Sequence, residues 1–95
     1  MLRGNHESVA MTEHFTFREE VLRKYDNDES VYDAFIECFE SMPIAADVNG
    51  DYLCMHGGIS QKVTSLDALK RTKKPDNIPD EGLLCDLMWA DPEKG

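Results

Sequence analysis

Apolar and polar positions follow one another in different rhythms along this chain. From Thr12 to Tyr25, apolar residues recur at Phe15, Phe17, Val21, Leu22 and Tyr25, a spacing that predicts a helix. Thr12 suits its N-cap and Glu13 its first turn, while Glu20 and Lys24 stand one turn apart and can pair. Asp26-Asn27-Asp28 favours a turn. A second helix is predicted from Ser30 to Ser41. There Val31, Tyr32, Phe35, Ile36, Cys38, Phe39 and Met42 make a broad apolar stripe that reads as core. Asp33, Glu37 and Glu40 face away from it, and Pro43 stops the helix.

The rhythm then turns to strands. Ile44 to Val48 and Asp51 to Met55 flank Asn49-Gly50, a strong hairpin signal because both turn residues must take positive φ. His56-Gly57-Gly58 follows the second strand at once. Ser65 to Thr72 reads as a short helix with Leu66 and Leu69 turned to the core. Lys73 to Asp80 reads as a loop carrying Pro75 and Pro79. Leu83 to Trp89 is a short apolar segment, one helical turn, ended by Asp91-Pro92. The chain shows no internal repeat, low-complexity tract or linker.

The length of 95 residues allows one domain. A net charge of −9 disfavours nucleic acid and anionic membranes as partners. The acids are spread along the chain, which suits a solvated surface, although acidity also attracts cations. Three cysteines, Cys38, Cys54 and Cys85, form no Cys-x-x-Cys pair. Cys38 and Cys54 lie within apolar patterns and read as buried thiols, which fits a reducing compartment. The start reads as neither a signal nor a transit peptide, so an intracellular place, cytoplasmic or also nuclear, is expected.

Two clusters carry chemistry. In Gly4-Asn5-His6-Glu7, Asn offers a neutral oxygen ligand, His a transferable proton, and Gly a close backbone approach to an anion. On its own the cluster is equally a polar turn. His56 ends a strand, where ligands gather in sheet proteins, and its imidazole can bind a metal. Alone it reads more readily as a hydrogen-bonded turn histidine, and Asn5 and His6 beside it reverse that preference.

Taken together, Leu2-Arg3-Gly4-Asn5-His6-Glu7, Met55-His56-Gly57-Gly58-Ile59-Ser60 and Cys85-Asp86-Leu87-Met88-Trp89-Ala90-Asp91-Pro92 resemble successive blocks of the phosphoprotein phosphatase family of metallophosphoesterases. Met11 to Phe17 and Pro43 to Ala46 are most similar to the calcineurin (type 2B) branch, whereas Ile78 to Asp86 looks more like the type 1 branch.

The resemblance implies an α+β fold, a partial piece of the four-layer metallophosphoesterase β-sandwich flanked by helices. This piece holds two helices, an Asn-Gly hairpin and a short helix, and residues 1–95 would be the central fragment of a catalytic domain. It also implies hydrolysis of phosphoserine and phosphothreonine at a dinuclear centre of Mn, Fe or Zn. Asn5 and His56 would bind the second metal, and His6 would be the general acid. Arg3, Glu7 and Asp91 would support the site, and Trp89 would pack at its rim. Metals in such a pair stand ~3.5–4 Å apart and activate a water for in-line attack.

The family's other metal ligands and phosphate-binding arginines would lie before Arg3 and after Gly95. The isolated chain is therefore expected to bind the dinuclear centre incompletely and to be inactive. Phosphoproteins are the expected substrates, and the calcineurin branch implies a calcium-sensing subunit and calmodulin as partners. Bared apolar surface and strand edges imply self-association. A non-catalytic binding or regulatory module, and a metallophosphoesterase for nucleotides or nucleic acid, are the competing readings.

Overall fold

A computed structural model describes residues 1–60, 65–72 and 82–91. Its elements run α1 (Val9–His14), α2 (Phe17–Lys24), α3 (Glu29–Ser41), β1 (Ala45–Val48), β2 (Tyr52–Met55), α4 (Leu66–Arg71) and α5 (Leu83–Trp89). Helices and one two-stranded antiparallel sheet make it an α+β arrangement.

The single helix expected over Thr12–Tyr25 is two helices. Ser8, not Thr12, caps the first, accepting from the Met11 N–H at 3.2 Å. Glu13 therefore lies beyond the first turn, which holds no acid. Phe15 takes extended backbone and ends α1, with its N–H on the Met11 carbonyl at 3.0 Å. Thr12 sits inside α1, buried, where its Oγ1 meets the Tyr32 hydroxyl at 2.7 Å. That contact joins α1 to α3. Within α2, Lys24 and Glu20 pair at 2.6 Å as expected, and this hydrogen bond holds the Glu20 carboxyl below its ordinary value.

Asp28 caps α3 by accepting from the Ser30 N–H at 3.0 Å. The wide stripe on α3 is covered only in part. Tyr32 is buried, but Phe35 and Cys38 are exposed. Phe17, Phe35 and Phe39 instead form a ring cluster, with Phe17 meeting Phe35 edge-on at 5.3 Å and Phe39 at 5.8 Å. Cys54 is exposed as well. The expectation of buried thiols at Cys38 and Cys54 thus fails, because an apolar face is buried only when something packs on it.

The hairpin forms where expected. Asn49 and Gly50 take φ of 61° and 75°, and the Asp51 N–H closes the turn on the Val48 carbonyl at 3.0 Å. Val48 pairs with Tyr52 and Ala45 with Met55. The core lies at the far end of this ribbon, where Ile44, Leu87 and Met88 are buried together with Met55, Leu69, Leu83 and Leu84 against them. Leu69 thus faces the core as expected. A cavity of about 300 Å³ opens between the hairpin and α4 and α5.

Ser65 caps α4, accepting from the Ala68 N–H at 3.1 Å. The segment expected to make one turn, Leu83–Trp89, is a seven-residue helix. Trp89 at its end is 44% exposed. The loop expected over Lys73–Asp80 lies outside the described residues. The radius of gyration is 15.2 Å, above the roughly 12 Å of a compact chain of this length. Among the described residues, the largest fully buried side chains are Arg3, Leu87 and Met88.

Candidate functional site

The N-terminal segment reaches the hairpin through one backbone bond, from the Arg3 N–H to the Pro43 carbonyl at 2.8 Å. Arg3 is 2% exposed, and its Nε donates to the Glu7 carbonyl at 2.8 Å. The Glu7 N–H returns to the Gly4 carbonyl at 3.2 Å. Residues 3–7 are thus tied into a tight loop whose tip presents Asn5 and His6. Here Arg3 shapes the loop from within.

His56 arrives at the same place from the end of β2. Its Nε2 stands 3.0 Å from the Asn5 Oδ1. The imidazole ring lies over Gly4, where a Cβ would come within 3.1 Å of Nδ1 and would also meet the Glu7 carboxylate. Only a residue without a side chain lets the ring and the loop approach this closely.

What holds His56 there is α5. Gly57 donates to the Leu87 carbonyl at 2.7 Å and Gly58 to the Asp86 carbonyl at 3.3 Å. A Cβ on Gly57 would lie 2.6 Å from both the Met88 carbonyl carbon and the Trp89 nitrogen. Buried Ser60 donates to the Asp86 carboxylate at 2.6 Å. The strand end is clasped by the last turn of a helix.

His6 is exposed, and its ring stacks on Phe15 with centroids 4.8 Å apart and planes 18° apart. His14 meets the same phenyl edge-on at 4.9 Å. Asp91 is exposed at the end of the α5 segment. Of the residues singled out from sequence, Arg3, Asn5, Glu7 and His56 form one linked unit. Phe15, Ser60 and Asp86 were not singled out. Phe15 lies in the helical pattern and Ser60 and Asp86 in the family blocks, but the contact each makes is with a residue that the pattern does not indicate.

The two donor atoms fit a metal. Ligand atoms at ~2.1 Å from an ion in octahedral geometry lie about 3.0 Å apart when adjacent, and Nε2 and Oδ1 are 3.0 Å apart. An imidazole nitrogen and an amide oxygen are also suitable neutral donors. They fill two positions only. Among the described residues, no group of three or more His, Cys, Asp or Glu gathers to complete a shell.

The family model for calcineurin-like phosphoesterases matches residues 1–95. The chain is 49% identical over 92 residues to serine/threonine-protein phosphatase 2B catalytic subunit A1 of Saccharomyces cerevisiae, covering 97% of this chain and 16% of that protein. It is 48% identical to catalytic subunit A2 of the same yeast, again over 97% of this chain and 15% of the relative. The chain thus spans about one sixth of the length of these relatives. Among solved structures, a serine/threonine phosphatase from Saccharomyces cerevisiae, described as similar to human phosphatase PP5, superimposes with a TM-score of 0.89. That match has 36% identity and covers 99% of this chain and 30% of the other. The blocks around Asn5, His56 and Trp89 therefore lie in a chain that belongs to the calcineurin-like phosphoesterase family.

Proposed function

We propose that residues 1–95 are the central part of a serine/threonine phosphatase catalytic domain, in which Asn5 and His56 hold one metal ion and His6 protonates the leaving serine or threonine oxygen. The observation that carries this reading is the 3.0 Å approach of the His56 Nε2 to the Asn5 Oδ1, next to His6. The metals, Mn, Fe or Zn, would supply an activated water and charge neutralisation at phosphorus. The rest is done by the chain. The Arg3–Glu7 loop sets the direction of Asn5, and α5 sets that of His56. His6 stands exposed on the same loop, where a substrate oxygen can reach it. A positioned acid of this kind contributes ~10²–10⁴-fold. Asp91 would orient polar groups at the rim.

Two neutral donors hold a divalent ion weakly, because four to six ligands with carboxylate charge normally do so. The 95-residue polypeptide alone would accordingly bind manganese poorly and hydrolyse no phosphate. Phosphoproteins are the proposed substrates. The name of the yeast relatives, catalytic subunit, is consistent with a regulatory partner such as the calcium-sensing subunit and calmodulin. Exposed Cys38 and Cys54 are free thiols, which suits an intracellular setting.

The test is a chimera in which these residues replace the matched span of the yeast 2B subunit A1. It should hydrolyse a phosphoserine peptide with manganese, and His6→Ala should lower kcat ~10²–10⁴-fold. Unchanged activity in His6→Ala would remove the assigned role. Manganese-stimulated hydrolysis by the 95 residues alone, lost in His6→Ala, would show the isolated chain to be competent after all.

A further inference from the structure

Phe15 stacks its ring on the proposed proton donor, and nothing in the reaction described so far uses it. Phe15 is 46% exposed, so core burial does not account for its place. It occupies the break between α1 and α2, with φ −93° and ψ −166°. That extended backbone takes its side chain off the helical path. The ring then lies nearly parallel to the His6 imidazole, with centroids 4.8 Å apart. The His14 ring meets the same phenyl edge-on at 4.9 Å. His14 is the last residue of α1, and α1 is fixed by the Ser8 cap and by the Thr12–Tyr32 hydroxyl contact at 2.7 Å. A rigid helix end therefore carries the phenyl ring to an exposed histidine on a separate loop.

We propose that Phe15 is a positioning residue for His6, holding the imidazole plane so that its proton donor faces the leaving oxygen. This rests on the reading of His6 as the general acid. An exposed histidine has several rotamers of similar energy. An offset stack of this kind favours one orientation by roughly 2–13-fold. The ring needs only its flat face for this, so a tyrosine or tryptophan at position 15 would serve, whereas leucine would not.

Two measurements test it. In the 95-residue chain, the His6 ring protons are followed by NMR. Stacking on Phe15 shifts them upfield; Phe15→Leu should abolish that shift and Phe15→Trp should keep it. His6 resonances unchanged in Phe15→Leu would overturn the contact itself. In the yeast chimera, kcat is compared for a phosphoserine peptide and for p-nitrophenyl phosphate, whose leaving group needs little protonation. Phe15→Leu should lower the ratio of the two rates by roughly 2–13-fold, the occupancy it loses, and Phe15→Tyr should restore it. Equal loss on both substrates would mean that Phe15 supports the fold only, and an unchanged ratio would overturn the positioning role. His6→Ala separates the two levels. If it also leaves the ratio unchanged, the general-acid reading fails; if it lowers the ratio while Phe15→Leu does not, only the role of Phe15 fails.

Discussion

The Nε2 of His56 lies 3.0 Å from the Oδ1 of Asn5, although 51 positions separate them in the sequence. A hydrogen bond across that distance requires the proton on Nε2, because an amide oxygen only accepts. A metal would need the same nitrogen bare, with the proton moved to Nδ1. Metal binding and this hydrogen bond therefore exclude one another. In the chimera, Asn5→Ala and His56→Ala should each weaken manganese binding by at least ~10–100-fold, the loss seen when even an outer partner of a ligand is removed. Isothermal titration would measure it, and affinity unchanged in either variant would contradict the assignment.

Gly57 should tolerate no side chain. A Cβ there meets backbone atoms of Met88 and Trp89 at 2.6 Å, and backbone cannot swing aside as a side-chain end can. Gly57→Ala should cost ~1–3 kcal/mol, as overpacking does, and should displace His56. Gly50→Ala is the useful contrast. Its Cβ would point into open space, but φ is +75°, so the cost is conformational, ~1–2 kcal/mol. Urea midpoints would show both losses. Only Gly57→Ala should also weaken manganese binding in the chimera.

Thr12→Val should destabilise the α1–α3 contact by ~1–3 kcal/mol, the cost of leaving the buried Tyr32 hydroxyl without this partner. Adding Tyr32→Phe to Thr12→Val should cost less than the sum of the two single changes, since both remove one bond. Additive losses in thermal unfolding would mean that the hydroxyls do not depend on each other.

The cap of α3 should titrate. Hydrogen bonds from the Ser30 side chain and backbone lower the Asp28 carboxyl below its ordinary 3.8. Because the folded value is depressed, the stabilisation is fully present above 3.8 and is lost as pH falls through the folded value. Helix content followed by circular dichroism should drop in that acid window. Asp28→Asn, which caps without titrating, should remove that part of the pH dependence.

The elements were largely legible, and the reasons for the failures are specific. The Ser30–Ser41 periodicity and the Asn49-Gly50 turn both gave elements within a residue or so of those observed. The break at Phe15 and Thr16 was hidden because apolar residues flank it on both sides, so the helical count runs on uninterrupted. Thr12 looked like a cap because its burial depends on a tyrosine twenty positions away. Cys38, Cys54 and Phe35 were misjudged for a different reason. Periodicity identifies an apolar face but says nothing of whether another element covers it. For the site, Asn5, His6 and His56 were legible as residue types and as family blocks. The meeting of Asn5 with His56 was not, because it depends on a backbone bond at Arg3, bare space at Gly4 and the end of α5.

The Arg3–Pro43 backbone bond has one more consequence. It joins the two feet of the helical excursion from α1 to α3 beside the hairpin. Loop-closure cost rises only slowly with length, about 0.6 kcal/mol per doubling. Residues inserted at the exposed Tyr25–Asp28 bend would lengthen the arch without moving its feet. The Asn5–His56 pair at its base is held by contacts outside that bend, whereas α1 still depends on Tyr32 through Thr12.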